Sequence, residues 1–253
     1  MKKNSYSLFL VGLTIALSTS PLYAQDTSGE HVKLSYSYVE AAYLRREGGL
    51  NSQLVDNGLP SDVLAGDGNG FLVRASIEVE DGVYFFGAFE REKSDYDLAA
   101  SIGTDLLLGD FDVTYQSGRI GIGYFNHLGK NLDLYYQFGV TYSEFRAGSG
   151  VATQVSDGTT IPIDLSDESQ NGISGNFEIG LRKNIADKIE VDGSLFWNGA
   201  QRVEREDADS LKLADDFGGK IAARFNLNSV FSVGAEYQRS KLDRFLVVVR
   251  ARF

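Results

Sequence analysis

The groups with which this chain could carry out acid–base or metal chemistry are few: two histidines, His31 and His127, no cysteine, and 35 acidic residues against 24 basic ones. The missing thiols exclude a cysteine nucleophile, a thiolate metal site, a disulfide framework and a lipid-modified amino-terminal cysteine. Acid–base or nucleophilic catalysis generally uses a histidine, alone or beside a serine. His31 precedes the first periodic segment and His127 sits in a turn signal, His127-Leu-Gly-Lys-Asn131, so neither is placed among the long loops where a substrate would be held. Asp215 and Asp216 are adjacent, and adjacent carboxylates on a strand point to opposite faces. Asp67-Gly-Asn-Gly and Asp207-Ala-Asp-Ser are fragments of calcium-loop chemistry without the spacing or closing glutamate of an EF-hand. The expectation is a chain with no catalytic residue, metal or cofactor.

A second set of charges falls at a regular spacing, alternating with apolar residues. The end of the chain is the clearest case. Phe245, Val247, Val249, Ala251 and Phe253 form one face of a strand, and Arg244, Arg250 and Arg252 lie on the other. Buried on both sides, such a strand would leave arginines unpaired in a core; half exposed, it would end on a free edge. In a closed transmembrane barrel the apolar row meets lipid and the arginines meet a polar lumen. Read with the same alternation, the remaining segments put Glu40, Glu78, Glu90, Asp133, Glu178, Glu190, Asp192 and Glu236 on the lumen side, together with Arg74, Arg119, Arg182, Lys220 and Arg224. With the three terminal arginines, eight acids face eight bases.

The elements that must position them are strands. The 253-residue chain has a mean hydropathy of -0.17, and after the amino-terminus it offers no run of the roughly 20 apolar residues that a spanning helix needs. Its 28 glycines, 13 tyrosines and 16 phenylalanines suit barrel bends and interfacial aromatic girdles. A formal net charge of -11 argues against nucleic acid as a partner. At the start, Lys2 and Lys3, the apolar run Leu8 to Leu17 and the small residue Ala24 describe a secretory signal peptide over 1–24, cleaved after Ala24 to leave a single domain over 25–253.

Ten alternating segments are expected: 32–47, 70–80, 83–90, 113–126, 132–142, 173–182, 189–198, 217–225, 231–238 and 243–253. In the first, the alternation slips at Tyr38-Val39, and a bulge there would restore it. Short turns at Glu80-Asp-Gly82, 127–131, 185–188 and 226–229 then lie on the periplasmic side. Long acidic loops at about 48–69, 94–112, 146–172 and 202–216 lie outside the cell. Pro60 and Pro162 fall in those loops. The fold class is thus all-β, one closed antiparallel transmembrane barrel of ten strands, with eight as the alternative.

Tyr36-Ser-Tyr-Val-Glu-Ala-Ala-Tyr43, Val83-Tyr-Phe-Phe-Gly-Ala-Phe89, Arg119-Ile-Gly-Ile-Gly-Tyr124 and the closing strand with its terminal Phe253 resemble the small outer-membrane barrels of the OmpA and OmpX kind. The closest pattern is that of the diffusible-signal-factor-regulated barrel proteins. The resemblance implies the outer membrane of a Gram-negative bacterium, with outer-membrane lipid as surroundings. It also implies assembly by the barrel machinery, for which the aromatic closing strand serves as signal, and it carries over no catalytic residue.

Within such a barrel the balanced lumen charges are expected to meet and form a plug, since a bore of about ten strands is only slightly wider than one that side chains fill. The alternative is a narrow porin-like pathway for ions or small solutes. The surplus acid lies in the loops, from Asp56 and Asp62 through Asp95 and Asp112 to Glu204 and Asp209. There it could meet lipopolysaccharide through divalent cations, or a basic surface ligand.

Overall fold

The computed structural model describes residues 34–47, 64–102, 105–129, 131–148, 150–156, 159–165, 169–185, 188–199, 201–203, 211–213, 216–240 and 243–253. The proposed signal peptide lies outside them. The described chain forms β1 (Tyr38–Glu47), β2 (Leu64–Glu80), β3 (Val83–Ile102), β4 (Asp105–Gly129), β5 (Leu132–Ala147), β6 (Gly150–Ser156), β7 (Thr159–Leu165), β8 (Ser169–Ile185), β9 (Ile189–Asn198), β10 (Gln201–Val203), β11 (Leu211–Leu213), β12 (Asp216–Asn226), β13 (Phe231–Arg239) and β14 (Asp243–Arg252). Ten of these are staves of a closed antiparallel barrel, running β1, β2, β3, β4, β5, β8, β9, β12, β13, β14. Closure comes from β14 pairing with β1, Tyr38 opposite Arg252 and Glu47 opposite Asp243.

The alternation decides which face is which. Phe85, Ile122, Phe138, Phe177, Trp197 and Phe217 are successive cross-strand partners from β3 round to β12. Most of that row is exposed, and it continues an outer surface of Ile120, Val140, Ile173, Ile221 and Val249 that is open in every case. So continuous an apolar exterior suits hydrocarbon rather than water.

Inside, the seam formed by β14, β1 and β2 shows the layering. Ascending from the short-turn end, Glu40 lies between Arg250 and Arg74, Ala42 between Val248 and Leu72, Leu44 between Leu246 and Gly70, and Arg46 between Arg244 and Gly68. A charged layer is thus followed by an aliphatic one and then by a second charged layer. Ala42, Leu44, Leu72, Leu246 and Val248 make one buried cluster; Tyr36, Tyr84, Phe125 and Tyr135 make another, at the short-turn mouth.

Glycine is required where these rings approach the wall. A Cβ on Gly123 would lie 2.1 Å from the Tyr84 ring, so Gly123→Val is expected to cost about 1–3 kcal/mol of stability through overpacking, read as a lower midpoint in denaturant unfolding. Gly82 supplies the positive φ of 85° that turns β2 into β3.

Several boundaries differ from the sequence reading. β1 begins at Tyr38, its ladders with β14 and β2 run without a register shift, and no bulge occurs. Leu34, Tyr36 and Glu40 are all buried, and the Arg250 guanidinium lies 4.1 Å over the Tyr38 ring. The even-numbered face therefore points inward throughout, because this lumen accepts rings and aliphatic groups as well as charge. The stretch expected as a loop at 94–112 is instead ladder, Ser94 opposite Val113 and Ile102 opposite Asp105. Its acidic residues interrupt an alternating pattern without breaking it, and backbone pairing that continues past the apolar band satisfies its own hydrogen bonds.

The 48–69 loop loses residues 64–69 to β2, and 48–63, with Pro60, lies outside the described residues. The 146–172 stretch contains the β6–β7 hairpin, which extends the sheet by pairing β6 with Leu106 to Asp110 of β4. Pro162 accordingly sits in a strand, opposite Thr153, with β7 at the sheet edge, where a missing N–H is tolerated. The 202–216 stretch holds β10 and β11, with β10 paired to β8.

Candidate functional site

The candidate site is the charged interior. Glu40 on β1 is nearly sealed from solvent and lies 3.4 Å from Arg74, 3.1 Å from Arg224 and 2.9 Å from Arg250. Glu236 on β13 takes a two-pronged contact from Arg74, at 2.7 and 3.0 Å, and one from Arg224 at 3.3 Å. Glu190 on β9 gathers Arg182 at 2.7 Å, Arg250 at 2.8 Å, Arg252 at 3.2 Å and Arg224 at 3.4 Å. Three carboxylates thereby tie together five arginines from β2, β8, β12 and β14, across the bore as well as along the wall. Arg224 touches all three and is the hub.

Lys220 adds a branch. Its Nζ lies 2.5 Å from Glu178 and 3.8 Å from Asp192, while the Tyr135 hydroxyl reaches the same two carboxylates at 2.8 and 3.1 Å. Above the aliphatic layer, Arg244 pairs with Glu90 and lies 3.2 Å from Glu92, which also pairs with Arg46 at 2.8 Å. Burying these ions would be prohibitive singly; mutual pairing and further hydrogen bonds make it tolerable.

Three further expected lumen charges make contacts of other kinds. Arg119 hydrogen-bonds Thr141 at 3.2 Å and Asn198 at 3.5 Å. Asp133 is buried at the short-turn mouth with its Oδ1 2.6 Å from His127 Nδ1. Glu78, further down the inner face, has its backbone N–H bonded to Ser37 Oγ at 3.0 Å. Of the closing-strand residues, Phe245, Val247, Val249 and Phe253 are exposed on the outer face, and the Phe253 N–H donates to the Ser37 carbonyl at 3.2 Å. Ala251 is half-buried opposite Val39.

Two inward groups escaped the sequence reading. Arg46 and Glu92 lie where β1 and β3 run past the expected strand ends, and the signal was there: each keeps the even-numbered phase of its strand. One acid and one base are added, so the balance is unchanged. The other is the mouth plug, in which Tyr36 stacks on Phe125 at 4.0 Å and on Tyr84 at 4.8 Å. Arg182 lies 4.9 Å over the Tyr36 ring and donates to the Ser35 carbonyl at 2.9 Å. No group of three or more potential metal ligands occurs among the described residues. Asp67 lies in the extended β2, so its fragment of a calcium loop does not adopt a loop.

An apolar exterior, a closed ladder and a charge-paired interior define an all-β transmembrane barrel of ten strands. No protein-family model and no curated protein sequence matches the chain. Among solved structures it is similar to the translocator domain of autotransporter NalP from Neisseria meningitidis, with a TM-score of 0.54 and 11% identity over 87% of this chain and 90% of that one. It is likewise similar to the outer membrane protease OmpT from Escherichia coli, with a TM-score of 0.50 and 9% identity over 86% and 94% of the two chains. At such identities the likeness is one of fold.

Proposed function

We propose that this protein is a non-enzymatic barrel of a Gram-negative outer membrane whose interior is a fixed charged plug. In this reading it works through its acidic extracellular face, in envelope integrity or surface interaction. The observation that carries the reading is the cross-bore network in which Glu40, Glu190 and Glu236 each hold two or more arginines. Opening a path along the axis would mean separating several buried ion pairs at once. The aliphatic layer above and the stacked rings below support the same conclusion. The balance of charge inside leaves the acidic surplus outside, where Asp67, Asp95 and Asp112 lie on β2, β3 and β4 beyond the aromatic rows.

The test is single-channel recording from the refolded mature protein in planar bilayers, with heat-modifiable electrophoretic mobility as proof of folding. Silent membranes are the expected result. Steady openings whose size changes when Arg119 and Arg250 are replaced would overturn the plug in favour of a narrow porin-like pathway.

A further inference from the structure

The centre of the charged layer is not completely filled. A cavity of about 30 Å³ lies there, lined by Arg74, Arg182, Lys220, Arg224, Arg250 and Asp192 together with neutral side chains, Tyr36 and Gln137 among them. That volume suits one water-sized occupant. Its lining is lopsided in sign: five cationic side chains and a single carboxylate, although the interior as a whole is balanced. Glu40, Glu190 and Glu236 stand outside the lining, behind the arginines they pair with.

Two polar atoms on this wall, the Tyr36 hydroxyl and Arg182 Nε, make no close hydrogen bond among the described residues, although the Arg182 side chain stands beside the Tyr36 hydroxyl. Both residues are only 3% exposed. A buried orphaned donor costs about 1–3 kcal/mol, more when it is charged, so an occupant that accepts from both is favoured. Water could accept too and pass its protons to Asp192 or Gln137, but it would leave the surplus of cations on this wall unmatched. An anion accepts from every side and lowers the local positive potential.

We infer that this cavity is a binding site for a monovalent, halide-sized inorganic anion, held between Arg182 Nε and the Tyr36 hydroxyl and surrounded by Arg74, Lys220, Arg224 and Arg250. The site goes beyond the proposed surface role and does not depend on it, since a bound anion serves a plug as well as a pathway. It would make the plug's stability depend on the identity of the salt as well as on ionic strength.

The experiment uses bromide as probe on the refolded mature protein. Crystals grown in sodium bromide should show one anomalous peak within hydrogen-bonding distance of Arg182 and Tyr36. In detergent, the unfolding midpoint should be higher in bromide or chloride than in gluconate at equal ionic strength. Tyr36→Phe removes one donor, keeps the stacked ring, and should weaken the halide dependence about tenfold in apparent affinity, as loss of one hydrogen bond to a charged partner implies. An absent peak in a cavity that holds only water, or a halide effect unchanged in Tyr36→Phe, would overturn the site. Peaks confined to surface arginines and lysines would overturn it equally.

Discussion

Glu190→Gln is expected to destabilise the folded barrel by about 3–5 kcal/mol, the cost of leaving buried charge uncompensated. Among the described residues Glu190 is the carboxylate with the most arginine partners, and Arg182, Arg250, Arg252 and Arg224 would keep their full charges after the change. None can relax to solvent, since each of the four is buried. Glutamine keeps the shape and one acceptor oxygen, so the loss isolates charge rather than volume. Trp197 is the sole tryptophan, and it lies on the outer face, so its fluorescence reports unfolding from detergent or vesicles in urea.

Glu47→Gln is the control. Its partner Arg45 is 3.3 Å away with both side chains well exposed, and such a pair is worth about 0–1 kcal/mol. Equal effects at the two positions would show that the interior is hydrated and the network no plug. A further check is Glu190→Gln combined with Arg252→Gln, which removes a charge of each sign and should recover part of the loss.

Much of this interior was legible because strand periodicity is unforgiving. A side chain two positions from an inward neighbour is itself inward, so Arg74, Glu178, Arg182, Lys220, Arg224 and Glu236 follow once the apolar row of each strand is found. What the pattern cannot state is depth along the axis or the partner across the bore. Glu40 and Arg224 are 184 positions apart in the chain yet bonded at 3.1 Å, a contact set by closure and by the stagger of the staves. The amino-terminal Tyr36 and Tyr38 misled for a different reason. The expectation that apolar means outward holds for the barrel as a whole, but not at a mouth sealed by stacked rings. Strand length was underestimated for a third reason: the lipid-facing row ends where the membrane ends, whereas the hydrogen-bond ladder of β3 and β4 does not.

Val140→Arg places a charge at the middle of the outward row of β5, opposite Ile120 on β4. Both side chains are open on the outer surface. If that surface is immersed in hydrocarbon, the change should cost about 2–4 kcal/mol in lipid vesicles, and the same change near an interface about 0–1. Leu227→Arg supplies the second point, because Leu227 is equally exposed but lies in the turn between β12 and β13. A soluble barrel would show little difference between the two, since each arginine would enter water. The contrast should also shrink in detergent, whose short chains let a long side chain reach the polar boundary. A large gap in vesicles that narrows in detergent therefore measures the apolar band itself, independently of anything the lumen does.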